Sequence, residues 1–142
     1  IGAKVAAPGR PAVAYVGDGA WGMSLLETLT CVREDIPVTV VVFNNGQWGA
    51  EKKNQVDFYD DRYVGTNLVN PSFAAIARAM GADGIKVTHV EEIGDALRQG
   101  TKADKPTVIE IMVTQELGDP FRRDALTKPV RLLPKYKDYT VT

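Results

Sequence analysis

Three short β-branched runs constrain the fold of this chain more than any other feature. They occupy residues 12–16 (AVAYV), 38–43 (VTVVVF) and 107–113 (TVIEIMV), and each is apolar nearly throughout. Uninterrupted apolar runs of this length are typical of strands that are covered on both faces, as in a parallel sheet. A weaker fourth candidate follows Gly84 at residues 85–87. We therefore predict a central sheet of mainly parallel strands.

Helical patterns lie between these runs. Apolar residues recur at helical spacing over 21–32, and a second helix is predicted over 73–80, with Ser72 as its N-cap and Gly81 as its stop. A third is predicted over about 91–99. Strands that alternate with helices predict an α/β fold, a doubly wound and mainly parallel sheet with helices on both faces.

The domain organisation follows from length and composition. At 142 residues, with 44% hydrophobic and 25% charged residues, the chain has the make-up of one globular domain. We assign residues 1–118 to that domain and residues 119–142 to its extended C-terminal tail. Residues 46–70 form a long polar connection of the kind that carries function. The start at Ile1 suggests a fragment of a longer polypeptide.

The charge balance excludes several classes of partner. Seventeen basic and eighteen acidic residues give a net charge of -1, which indicates no general attraction to nucleic acid or to an anionic membrane. The longest apolar run, residues 38–43, is too short to cross a bilayer. The single cysteine, Cys31, fits a reducing compartment, so we expect a cytoplasmic protein.

Two polar segments directly follow the first two predicted strands, where ligands bind in open α/β sheets. They are Gly17-Asp18-Gly19-Ala20-Trp21-Gly22 and Asn44-Asn45-Gly46-Gln47-Trp48-Gly49. The first matches G-x-G-x-x-G, which also occurs in dinucleotide-binding domains. Such domains place an acid after the next strand, and this chain has Asn44 and Asn45 there. A nucleotide-binding module is thus the weaker alternative.

Asp18 indicates a metal ion at the glycine turn. A bare carboxylate there would repel a diphosphate held at the start of the helix, and a divalent cation removes the conflict. Magnesium prefers oxygen ligands. Asp18, the Asn45 side chain and a backbone carbonyl just beyond it, that of Gln47, are the candidates.

The two segments together resemble the GDG and NN motifs of thiamine-diphosphate enzymes. The resemblance implies the thiamine-diphosphate-binding fold, thiamine diphosphate and Mg²⁺ as cofactors, and Asp18, Asn45 and the Gln47 carbonyl as metal ligands. It implies backbone contacts from Gly19 and Ala20 to the diphosphate. The full set of implied cofactor-binding residues is Gly17, Asp18, Gly19, Ala20, Asn45, Gln47 and Trp48.

The resemblance also implies an activity. Residues 70–77 resemble the helix after the cofactor loop in the acetolactate-synthase-like branch of the family. Residues 115–126, 128–131 and 135–139 resemble the C-terminus of its acetyltransferase branch, which acts on sulfoacetaldehyde and phosphate and releases acetyl phosphate and sulfite. An acetolactate-synthase-like or decarboxylating enzyme is the alternative within the family.

In this family the catalytic glutamate belongs to a separate pyrimidine-binding domain, which no part of these residues resembles. The catalytic residues are therefore unknown here, the chain alone is expected to be inactive, and the full-length enzyme is expected to be a homo-oligomer. Arg122 and Arg123, in a tail with six basic and three acidic residues, are candidate contacts to the anionic substrates.

Other conspicuous residues have ordinary interpretations. We interpret Cys31 as a small core residue and His89 as a surface or capping residue. For Trp21 and Trp48, shielding of the cofactor and ordinary packing are both open. The acids Asp57, Asp60 and Asp61 are read as a solvated loop face.

Overall fold

The computed structural model describes residues 1–117. Within that range the chain forms four strands and six α-helices. In chain order these are α1 (Gly2–Ala6), β1 (Val13–Gly17), α2 (Asp18–Ser24), α3 (Glu27–Arg33), β2 (Thr39–Asn44), α4 (Gly49–Phe58), α5 (Phe73–Ala79), β3 (Asp83–Val87), α6 (Ile93–Lys102) and β4 (Thr107–Met112), with a 3₁₀ turn at Val90–Glu92 before α6.

All the strand pairings are parallel, and the strand order is β1-β2-β4-β3. The chain moves across the sheet in one direction from β1 to β2 and on to β3, and then returns by one position to β4. Because parallel crossovers are right-handed, a reversal of direction puts the connecting helix on the opposite face. Helices α2 and α5 accordingly cover one face of the sheet and α6 covers the other, which confirms the predicted doubly wound fold.

Two apolar cores lie on the two faces. The first joins Trp21 of α2 and Phe73 of α5 to Val42 and Val108 of the sheet. The second, which we call the α6 layer, consists of Val41, Val87, Ala96, Ile109 and Ile111. Alternate residues of β2 and β4 enter opposite cores, because successive side chains of a strand point to opposite faces.

The helix predicted over residues 21–32 is wrong in its extent. The structure has two helices there, α2 and α3, and α2 begins three residues earlier, at Asp18. Between them the amides of Thr28 and Leu29 bond to carbonyls three residues back, which tightens the turn and redirects the chain. Leu26 and Leu29 point largely outward, with 66% and 45% of their surface exposed.

The polar connection over residues 46–70 contains a helix that the sequence did not indicate. Helix α4 buries none of its ten residues, so it has no apolar stripe from which it could be recognised. The N-terminal helix α1 was also not predicted.

The tail assigned to residues 119–142, its boundary after residue 118, and both Arg122 and Arg123 lie outside the described residues, so these remain predictions. Within residues 1–117, no helix has the length and apolar character needed to cross a membrane.

Candidate functional site

The Asp18 carboxylate, at the start of α2, joins two loops at the carboxyl end of the sheet. Asp18 is 3% exposed and follows β1, next to the end of β2. Its Oδ1 accepts a hydrogen bond from the Gly19 amide at 2.9 Å. Its Oδ2 accepts from the Gly46 amide at 2.8 Å and from Asn70 Nδ2 at 2.7 Å. The predicted proximity of the two motifs is therefore present, because Asp18 contacts the backbone between Asn45 and Gln47.

The backbone at Gln47 faces the same side as the Asn45 amide. Gln47 pairs with Asn67 in an isolated antiparallel bridge. The hydrogen bonds of this bridge are made by the residues on either side, from the Trp48 amide to Thr66 and from the Leu68 amide to Gly46. The N–H and C=O of Gln47 itself therefore point away from Asn67. The N–H donates to Asn45 Oδ1 at 3.2 Å. Among residues 1–117 no group donates to the Gln47 carbonyl, although the residue is only 3% exposed. Within these residues the Gln47 carbonyl is therefore an acceptor without a donor.

The Gln47 side chain anchors this loop. Its Nε2 donates to the carbonyl of Gln115 at 2.8 Å, and its Oε1 accepts from Lys52 Nζ at 3.0 Å. Lys52 Nζ also donates to Asn67 Oδ1 at 3.0 Å. These contacts hold the backbone of the loop in place without using the Gln47 carbonyl.

Trp48 explains why glycine stands at position 19. A Cβ on Gly19 would lie 2.7 Å from Cζ2 of the Trp48 indole, closer than real Cβ contacts. The ring therefore packs directly on the glycine turn. The Gly19 N–H donates to Asp18, so the predicted contact of Gly19 with a diphosphate remains a prediction, as do those of Gly17 and Ala20.

A second carboxylate, which the sequence analysis missed, lies behind Asp18. Glu110 is in the middle of β4 and is 1% exposed. Its Oε1 accepts from Asn44 Nδ2 at 2.9 Å, and its Oε2 accepts from Ser72 Oγ at 2.8 Å and from the Ala74 amide at 3.1 Å. Asn70 Nδ2 donates to Asn44 Oδ1 at 3.0 Å as well as to Asp18. We call these residues the polar chain: Asp18, Asn70, Asn44 and Glu110.

The hydrogen bonds of Glu110 keep it ionised. Burial by itself raises the pKa of this carboxyl group, but the bonds from the Ala74 amide, Asn44 and Ser72 outweigh that effect, and Lys86 adds a favourable charge. The net result is a pKa below the ordinary value for glutamate. A single acid inside the apolar run of residues 107–113 was the available signal, because a buried glutamate needs partners.

The other side chains that the sequence analysis singled out lie in ordinary packing or surface positions. Trp21 is buried and packs edge-on against Phe73, with ring centroids 4.9 Å apart, which favours the packing interpretation. Cys31 is a buried free thiol whose pKa is raised by burial, which confirms it as a core residue. His89 is exposed, and its amide donates to Glu92 at the start of the 3₁₀ turn.

The three acids predicted to form a solvated loop face are exposed, but Asp57 lies in helix α4 and not in a loop. Asp57, Asp60 and Asp61 are exposed, and Asp57 pairs with Lys53 one helical turn earlier. Within the described part of the chain, no three or more histidine, cysteine, aspartate or glutamate side chains are grouped as metal ligands.

A cavity of about 330 Å³ lies away from this site. It is lined mainly by apolar residues, including Val13, Val40 and Cys31. None of Asp18, Asn45 and Gln47 lines it, so this cavity is separate from the candidate site at the strand ends.

Known proteins resemble this chain over most of its length. Residues 1–111 match the family model described as thiamine pyrophosphate enzyme, C-terminal TPP binding domain. The sulfoacetaldehyde acetyltransferase of Castellaniella defragrans is 68% identical over 99% of this chain and 24% of that protein. The one of Alcaligenes xylosoxydans xylosoxydans is 66% identical over 98% of this chain and 24% of that protein. The chain thus spans about a quarter of the length of these relatives.

A solved structure agrees at the level of the fold. The crystal structure of benzoylformate decarboxylase from Polynucleobacter necessarius superposes with a TM-score of 0.76 at 28% identity, over 84% of this chain and 22% of that one.

Proposed function

Since this chain belongs to the thiamine pyrophosphate enzyme family, as its C-terminal TPP-binding domain, we propose that it is part of an acetyltransferase that converts sulfoacetaldehyde and phosphate into acetyl phosphate and sulfite. The observation that carries the substrate assignment is the 68% and 66% identity, over nearly the whole chain, to two relatives that bear the name of this activity. Orthophosphate and sulfoacetaldehyde would be its small-molecule partners.

We assign the metal ligands to the three oxygens at the strand tips. Asp18 Oδ1 accepts one hydrogen bond and Oδ2 accepts two, so one lone-pair position remains on Oδ1. The Gln47 carbonyl has no donor among residues 1–117, and Asn45 Oδ1 accepts one hydrogen bond. This set of one carboxylate and two amide-type oxygens suits Mg²⁺.

The protein's contribution is to hold the cofactor in place. Thiamine diphosphate, when bound, supplies a carbon nucleophile and an electron sink. The residues of this chain bind its diphosphate end: Asp18, Asn45 and Gln47 through Mg²⁺, and Gly17, Gly19 and Ala20 through the backbone. Trp48 packs over the glycine turn and restricts the space beside it.

The other parts of the working enzyme belong to the same proposal. A pyrimidine-binding domain would supply the catalytic glutamate, and the complete site would form between subunits of a homo-oligomer. A cytoplasmic location is supported by the one cysteine of the chain, which is a free thiol.

The test uses the full-length enzyme that carries this chain, titrated calorimetrically with thiamine diphosphate in the presence and absence of Mg²⁺. We expect binding that requires Mg²⁺, and a loss of affinity of at least about 100-fold in Asp18→Ala, beyond the effect typical of outer partners of a metal. Asp60→Asn, which neutralises an exposed loop acid, is the matched control and should bind as the wild type does.

Product analysis then tests the substrate. Sulfoacetaldehyde and phosphate should give acetyl phosphate and sulfite in equal amounts. Acetolactate from pyruvate instead would assign the chain to the alternative within the family, and binding of NAD without any need for Mg²⁺ would refute the cofactor assignment.

A further inference from the structure

We propose that Glu110, Asn44 and Asn70 are positioning residues that fix which atoms face Asp18 and thereby set the affinity of the site for Mg²⁺. The inference rests on the proposed function, because it concerns the same metal site. None of the three residues is among the proposed ligands.

The direction of the polar chain is set at Glu110. An ionised carboxylate only accepts hydrogen bonds, so the group of Asn44 that faces it must be the NH₂ group. The Asn44 oxygen then faces Asn70 and requires the NH₂ group of Asn70. That group also reaches Asp18, at 2.7 Å. The orientation of Asn44 thus follows from the charge on Glu110, and the orientation of Asn70 satisfies both the Asn44 oxygen and the Asp18 carboxylate.

The orientation of Asn70 matters for the metal. With its NH₂ group toward Asp18, Asn70 occupies the Oδ2 atom together with the Gly46 amide, and the remaining lone-pair position is on Oδ1. The reverse orientation would place the Asn70 oxygen against the carboxylate, which is repulsive. The polar chain therefore selects the atom of Asp18 that is left for a cation.

The sheet and helix α5 hold the Glu110 side chain in a fixed position. Glu110 lies on an interior strand, opposite Val42 of β2 and Lys86 of β3. Its second oxygen is held by Ser72 and by the Ala74 amide in the first turn of α5. An apolar side chain would serve a sheet core at lower desolvation cost, so a charge at this position indicates a role in organising the polar groups above it.

Exchanging the acid and the amide between positions 110 and 44 tests the proposed role of the polar chain. Glu110→Gln places its NH₂ group either against the NH₂ group of Asn44 or against the Ala74 amide, so one donor faces another donor in both orientations. Asn44→Asp places two carboxylates face to face. In the double variant the new amide at position 110 donates to the new carboxylate at position 44, which also accepts from Asn70. We expect each single variant to weaken Mg²⁺ binding about 10–100-fold, and the double variant to recover at least about tenfold of that loss.

The measurements are made on the full-length enzyme. Calorimetry at saturating thiamine diphosphate gives the dissociation constant of Mg²⁺, and thermal unfolding without cofactor gives Tm. Asn70→Ala provides an independent variant, because Asn70 is only half-buried in a loop; it should weaken Mg²⁺ binding by a similar factor with little change in Tm. Thr107→Val, which removes a buried hydroxyl at the other end of β4, should change only Tm.

Recovery in the double variant together with the Asn70→Ala effect supports the proposal. Wild-type Mg²⁺ binding in Asn70→Ala, or a double variant no better than the single ones, would overturn it. If the wild-type enzyme itself binds no thiamine diphosphate with Mg²⁺, the proposed function fails. If the wild type binds and the variants bind equally well, only the present inference fails.

Discussion

Two neighbouring residues of β4 lie in regions of opposite character. Ile109 belongs to the α6 layer, which is apolar throughout, whereas Glu110 points to the other face and ends the polar chain. Both side chains are essentially inaccessible to solvent, at 0% and 1% exposure. Burial alone therefore does not tell what a residue does. A buried side chain of the α6 layer stabilises the fold, whereas the buried Glu110 side chain orients the polar groups around Asp18.

The largest expected effect lies in the α6 layer. Ile109→Ala removes a fully buried side chain and should lower the free energy of unfolding by about 2–5 kcal/mol, because the surrounding residues fill the resulting cavity only in part. Denaturant unfolding measures the loss, and calorimetry should find Mg²⁺ affinity unchanged. Weakened metal binding in the folded variant would show that the two regions are coupled, and the contrast between them would fail.

A smaller effect is expected at the glycine turn. Gly19→Ala forces the Trp48 ring to move, since the new methyl group would lie 2.7 Å from it, and overpacking of this kind costs about 1–3 kcal/mol. In a Trp48→Leu background the same substitution should cost much less. Equal costs in the two backgrounds, measured by denaturant unfolding, would contradict the contact between Gly19 and Trp48.

The smallest expected effect is on the pH dependence of the stability of the fold. Because the folded-state pKa of Glu110 is lowered from its ordinary value of 4.5, its stabilising contribution is present above that pH and is lost as the pH falls through the folded-state pKa. Glu110→Gln should therefore have a shallower loss of stability on acidification than the wild type. Ile109→Ala is the control and should keep the wild-type slope.

Unfolding midpoints measured between about pH 3 and pH 6 would show this difference. Identical slopes in the wild type and Glu110→Gln would mean that Glu110 is not held ionised in the folded protein, and the polar chain would lose its fixed direction.

The sheet was predictable because its strands are apolar runs with clear ends. Strands β1, β2 and β4 lie within one residue of their predicted limits, and the family inferred from the glycine and asparagine motifs is confirmed. Helix α4 was missed because it buries no residue. The break between α2 and α3 depends on backbone hydrogen bonds that leave no periodic signal.

The residues of the candidate site that directly follow a predicted strand could be identified from the sequence, and the others could not. Asp18 and the segment from Asn45 to Gln47 each follow a strand end, so the pairing of β1 with β2 places them at the same edge of the sheet. Asn70 and Glu110 reach the same place from distant parts of the chain, since Asn70 is 52 residues from Asp18 and Glu110 is 66 residues from Asn44. Contacts over such separations depend on the crossovers, which local patterns do not specify.

The strand order has a consequence for biosynthesis. Strand β4 is the last of the four along the chain, yet it lies between β2 and β3. While a nascent polypeptide leaves the ribosome, β2 lacks a partner on one edge and β3 lacks its partner strand until residues 107–112 emerge. The same segment brings Glu110 to Asn44, so the pairing of the four described strands and the ordering of the polar groups around Asp18 are completed in one step.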